Sequence, residues 1–162
     1  MKPPVKIAVI LLAGWMSQAW AGQDDIRHGR YLIQISGCND CHTAGFMQLD
    51  GKVAEADWLT GDVMGWQGSW GTTYPANLRL LAQQMDEAAW LERARQPMRP
   101  PMPAPSLRAM SDADLRAIYR YIKSLGPKGL PAPDYVPPGG KVATPYLDLT
   151  PKNLPPPQQA GR

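Results

Sequence analysis

Apolar positions fall into three kinds of stretch along this chain. The first is continuous. Ile7 to Trp15 is an uninterrupted apolar run, with Lys2 and Lys6 before it and Ala19-Trp20-Ala21 after it. A short basic start, an apolar run of this length and an A-x-A site predict a secretory signal removed after Ala21. A membrane-spanning helix needs about 20 apolar residues, and this run is shorter. No cysteine lies near the cleavage site, which argues against a lipid anchor there.

The second kind of stretch is periodic. Residues 24–37 predict a helix. Asp24 and Asp25 suit the positive end of its dipole, Ile26, Tyr31, Leu32 and Ile35 supply apolar contacts, and Gly37 suits its end. Gly29 inside it marks close packing. Residues 78–95 contain helical material, with Asp86-Glu87 opening the better part. The clearest helix starts at Ser111, where Ser111-Asp112-Ala113-Asp114 reads as a capping box with Asp in place of Glu. Leu115, Ile118, Ile122 and Leu125 follow at helical spacing, and Gly126-Pro127 ends it.

The third kind has no period. Residues 44–78 mix glycines with Trp58, Trp66 and Trp70, which fits either a loop wrapped over something flat and apolar or aromatics filling a small core. Arg99 to Pro105, read RPPMPAP, carries four prolines in seven residues and predicts a stiff, extended, non-helical segment. From Pro127 onward prolines and glycines recur, which predicts an extended tail, mobile over residues 155–162.

Charge adds little to this picture. Without Lys2 and Lys6, fifteen basic residues face fourteen acidic ones, so strong attraction to nucleic acid or to an anionic membrane is not indicated. The distribution is uneven: residues 22–62 sum to −4, and residues from Arg79 onward to +5.

The candidate chemistry sits directly after the first helix. Gly37-Cys38-Asn39-Asp40-Cys41-His42-Thr43 holds both cysteines of the chain and one of its two histidines. A Cys38–Cys41 disulfide suits an oxidising compartment but leaves His42 unexplained. A thioredoxin-like pair needs a strand before it, and here a helix precedes. A zinc site would consume Cys38, Cys41, His42 and also His28, at an unusual spacing. The fourth reading uses all three residues: Cys-x-x-Cys-His is the attachment site of c-type haem. Two thiols near a helical turn reach the vinyl groups of adjacent pyrroles, and the next residue presents an imidazole to the iron. Haem of this kind is attached outside the cytoplasm, and the predicted signal points the same way.

A second iron ligand is expected from a methionine, whose thioether raises the reduction potential. Met98, Met102 and Met110 lie in or near the proline-rich strip. Met102, between Pro101 and Pro103, is the favoured ligand; Met110 reads as core filling and His28 as a surface residue.

Together the stretches GRYLIQISGCNDCHT and RPPMPAPSLRAMSDADLRAIYRYIKSLGP resemble a class I c-type cytochrome of the bacterial periplasmic kind. The resemblance implies an all-α cytochrome c fold, with few helices around one covalent haem, long loops and an extended proline-rich C-terminal tail. It implies crossing of the first and last helices, with Ile118 and Tyr121 facing Gly29, Tyr31 and Leu32. Met102 matches the family's axial methionine. Gly71 to Asn77 resembles the G-x-x-Y-x-x-N segment that lines the haem. A proline often follows the motif in the family and offers its carbonyl to the histidine; Ala44-Gly45-Phe46 stand here, so that partner is unnamed.

The organisation expected is a signal peptide over 1–21, a cytochrome c domain over 22–130 and a proline-rich extension over 131–162. The function expected is one-electron transfer in the periplasm on His42/Met102-ligated haem c, bound covalently through Cys38 and Cys41, with no catalytic residues. The partners expected are redox proteins, a dehydrogenase, an oxidase or another cytochrome, acidic where they meet Arg93, Arg95, Arg99 and Arg108. Nucleic acid and a stable membrane anchor are not expected. Two alternatives stand beside it: a subunit of a larger oxidoreductase, and a haem enzyme or gas sensor with an open iron position.

Overall fold

The computed structural model describes residues 22–153. The predicted signal peptide and the final stretch from residue 155 lie outside the described residues. Among the described residues no helix is long and apolar enough to cross a membrane.

Helix α1 covers residues 22–35 and ends on Gly37, whose φ of 67° is open to glycine at little cost. It is followed at once by the short α2, Cys38–His42. The buried face of α1 differs from the expected one. Ile33 is fully buried and Leu32 nearly so, with Ile26 packed beside them, whereas Tyr31 and Ile35 are 55% and 60% exposed. Helical spacing explains this. Ile26, Gly29 and Ile33 fall on one stripe, and Tyr31 with Ile35 forms another, turned well away from it.

Helix α6, Asp112–Ser124, is the spine of the domain. Its Ser111 cap is a full capping box: the hydroxyl accepts from Asp114 N, and the Asp114 carboxylate accepts from the Ser111 backbone. Leu115, Ile118 and Ile122 are buried along it, as are Ala117, Tyr119 and Tyr121. The crossing with α1 is close at Gly29: a Cβ there would lie 2.0 Å from the Ala117 carbonyl oxygen. Helices α3, Leu78–Gln83, and α4, Glu87–Arg95, pack on α6, and α5, Ala104–Ala109, packs on α4. Asn77 and Asp86 cap α3 and α4, each accepting from a backbone N–H three residues on.

Two expectations are amended here. Part of RPPMPAP is helical. Residues 100–102 form a turn, and Pro105 lies in the first turn of α5, where a missing N–H costs nothing. The fold is also not purely helical. A three-stranded sheet runs in the order β2-β1-β3. Strands β1, Gly65–Gly68, and β2, Gly71–Thr73, form an antiparallel hairpin that pairs Trp66 with Thr73. Strand β3, Tyr146–Asp148, comes from the C-terminal extension and lies parallel to β1, Trp66 opposite Leu147. Strands of three or four residues are too short to show alternation, so the sequence gives no sign of them.

The tryptophans of residues 44–78 divide between the two readings. Trp58 is buried in the core, edge-on to Phe46, and its indole N–H donates to the Val53 carbonyl at 2.9 Å. Trp66 instead lines a cavity.

Candidate functional site

Cys38, Cys41 and His42 face one cavity of about 1040 Å³. Short-range hydrogen bonds hold the motif in place. Thr43 Oγ donates to Asn39 Oδ1 at 2.7 Å and accepts from Leu59 N at 2.8 Å, while Gly61 N donates to the His42 carbonyl at 2.8 Å. Asn39 and Thr43 are almost completely buried, and it is Thr43 and the His42 carbonyl that anchor the end of the motif to the loop at 59–61.

His42 Nδ1–H donates to the carbonyl of Ala76 at 2.7 Å. This supplies the partner that the sequence left unnamed, and it comes from the G-x-x-Y-x-x-N segment. The bond fixes the tautomer, leaving Nε2 as the nitrogen for a metal. Burial holds the imidazole below its ordinary pKa, against the opposing pull of the Ala76 bond, so the neutral form that can ligate is favoured.

Cys38 and Cys41 are not joined in a disulfide. Burial pushes the Cys38 thiol up to about 11 and raises Cys41, where Asp40 adds to the effect. Among the described residues no group of three or more His, Cys, Asp or Glu side chains is placed to hold a metal ion, and His28, the fourth ligand a zinc site would need, is turned to Asp114 instead.

The rest of the wall is mainly apolar. Ile33, Leu81, Leu115 and Ile118 bring it from α1, α3 and α6. Met98 and Met102 reach the same cavity from the segment between α4 and α5. Met110 does not line it; it packs against the hydrophobic core. His28 is also elsewhere, with Nε2 2.7 Å from Asp114 Oδ1 on the half-exposed surface of α1 and α6. Trp90, on α4, also lines the cavity; its indole N–H is buried away from it without a protein partner. A volume at the upper end of ligand pockets, two thiols, an oriented imidazole and a thioether on an apolar wall all fit a covalent haem.

The family model for cytochrome c matches residues 26–126. The chain belongs to the cytochrome c family. No curated protein and no solved structure matches it. The cofactor of the cytochrome is therefore covalent haem c with its iron, and Cys38 and Cys41 stand in the matching Cys-x-x-Cys-His motif.

The arginines expected at the rim do not act alike. Arg93 and Arg99 line the cavity mouth and are exposed, as is Arg108 farther on. Arg95 instead ties α4 to α5 and α6: it donates to the carbonyls of Leu107 and Arg108 and pairs with Asp112 at 2.6 Å. The cytochrome also uses hydrogen bonds that sequence reasoning did not foresee. Thr73 Oγ donates to the Pro100 carbonyl at 2.7 Å, joining the hairpin to the methionine segment. Asn77 donates to the carbonyls of Lys128 and Leu130, fixing the chain next to Ala76. Thr73 and Asn77 both lie in the recognisable G-x-x-Y-x-x-N stretch, Gly71 to Asn77; nothing local marks Trp90.

Proposed function

We propose that this cytochrome is a periplasmic one-electron carrier whose haem iron is held by His42 and Met102, with both axial positions filled and no substrate site at the metal. When bound, the haem supplies a ferric/ferrous couple. The chain sets its potential and exposes an edge to partners. The observation that carries the reading is the meeting of His42 and Met102 at one cavity. Between the two methionines that reach it, Met102 is favoured by its backbone. Its N–H donates to the Arg99 carbonyl at 3.3 Å and its carbonyl accepts from Ala104 N at 2.8 Å. With Thr73 holding Pro100, the sulfur is carried on a segment that has little conformational freedom left to lose on ligation.

Optical spectra of the ferric and ferrous holoprotein test this. Met–iron ligation gives the ferric form a weak far-red charge-transfer band, expected in wild type, lost in Met102→Ala and kept in Met98→Ala and Met110→Ala. A high-spin ferrous form that binds carbon monoxide readily would favour an open iron position. Co-purification of the intact complex would favour an oxidoreductase subunit over a free carrier.

A further inference from the structure

The C-terminal extension does not stand away from the haem domain. Besides the β3–β1 pairing, Thr72 and Val136 exchange both backbone hydrogen bonds, at 2.8 and 3.0 Å. Tyr135 donates its hydroxyl to the Trp70 carbonyl at 2.8 Å, and the Tyr74 and Thr144 hydroxyls are 2.7 Å apart. The approach is built into the backbone: a Cβ at Gly71 would lie 2.3 Å from the Val136 carbonyl oxygen. Pro133 and Tyr135 thereby reach the wall of the haem cavity. There the Arg99 guanidinium lies over the Tyr135 ring, 3.9 Å from its centre. Arg99 belongs to the turn that carries Met102 and accepts from the Met102 N–H through its carbonyl.

We propose that residues 133–136 are a strap across the cavity mouth and that the Arg99–Tyr135 stack is its latch, holding the Met98–Pro103 segment closed and so setting how readily Met102 leaves the iron. Arg99 and Tyr135 are positioning residues; they act through the segment and not on the metal. The inference rests on Met102 being a ligand. A cation over an aromatic face at this distance favours the closed segment. The tail is fixed independently at Val136, so it gives the latch a rigid side to hold against. The strap is therefore part of the redox site, although it lies beyond the residues that match the family.

The test is the rate at which cyanide replaces the methionine in the ferric holoprotein, followed through the far-red band. Tyr135→Leu and Arg99→Gln should each bind cyanide roughly three- to tenfold faster than wild type. The double variant should be no faster than the faster single, because the two residues act as one contact. Tyr135→Phe keeps the ring and should stay nearer wild type than Tyr135→Leu. Arg30→Gln, which breaks an ion pair with Glu55 on another face, controls for general loss of stability. Single variants at the wild-type rate, a matching rise in Arg30→Gln, or additive effects in the double variant would each overturn the latch. A wild-type protein without the far-red band overturns the methionine reading instead, before any substitution is made, and the latch's role in ligation with it.

Discussion

The imidazole of His42 and the carbonyl of Ala76 are joined by a 2.7 Å hydrogen bond across 34 residues of chain. Gly61 is wedged beside that carbonyl. It has φ 79°, and a Cβ on it would lie 2.8 Å from Pro75 O and from Asn77 N. Gly61→Ala therefore strains one backbone and displaces the other. The strained φ alone costs about 1–3 kcal/mol, which should appear as a lower unfolding midpoint. With His42 as the proposed iron ligand, the displaced Ala76 carbonyl should also make it a poorer electron donor to iron, which disfavours the ferric state and raises the reduction potential. Redox titration of the variant beside wild type checks this; an unchanged potential would mean that the Ala76 bond does not tune the iron.

That bond shows where the sequence stopped being informative. The Cys38-x-x-Cys41-His42 motif was legible because attaching a haem sets that spacing within five residues. Helix α6 was legible because burial on one face writes a period into Leu115, Ile118 and Ile122, and because Ser111 and Asp114 form a local cap. The Ala76 carbonyl is backbone, carried by whatever residue stands there, so no side chain announces it. Strand β3 and the Tyr135 contact depend on pairing across some 65 to 80 residues, and three-residue strands leave no alternation to read. The face of α1 was misread for a different cause. Tyr31 and Ile35 are as apolar as the buried residues, and only the crossing with α6 at Gly29 determines which stripe turns inward.

Gly29 makes a second prediction. A Cβ there would fall 2.0 Å from Ala117 O and 2.8 Å from Tyr121 Cβ. Neither neighbour can move alone, since both belong to the middle of α6. Gly29→Ala should gain some helix propensity in α1 and lose far more by forcing the helices apart. A net loss of about 1–3 kcal/mol or more is expected in denaturant unfolding of the holoprotein. A variant as stable as wild type would show that the crossing can slide.

Glu55 gives a pH dependence. Arg30 from α1 holds its carboxyl below the usual range, chiefly by a hydrogen bond; burial opposes this, and the Tyr121 hydroxyl from α6 adds to the lowering. A carboxyl whose folded pKa is depressed contributes its stability fully above its unfolded value of about 4.3 and loses it as pH falls through the folded value. The Arg30 and Glu55 side chains are 42% and 39% exposed, so solvent screening limits the pair to about 0.2–1 kcal/mol. Glu55→Gln should thus be slightly less stable than wild type at neutral pH, with the gap closing below about pH 4. Parallel thermal melts across that range check it; a gap that persists in acid would assign the difference to packing and not to charge.

The last prediction separates arginines that the sequence grouped together. Arg93 is exposed at the cavity mouth, whereas Arg95 is spent on Asp112 and two carbonyls. If the rim steers anionic partners, oxidation of the ferrous protein by ferricyanide should slow as ionic strength rises, because screening shortens the reach of the rim charge. Arg93→Gln should lower both the rate at low salt and the slope, and leave stability within about 0.5 kcal/mol of wild type. Arg95→Gln should do the reverse. It strips α5 and the start of α6 of three hydrogen bonds to a charged group, two of them exposed to solvent, so the total loss is about 1–3 kcal/mol and should lower the unfolding midpoint with little change in slope. Stopped-flow traces at several salt concentrations, with melts of the same samples, make the comparison. A flat slope in wild type would remove the steering role, and equal behaviour of the two variants would remove the distinction between them.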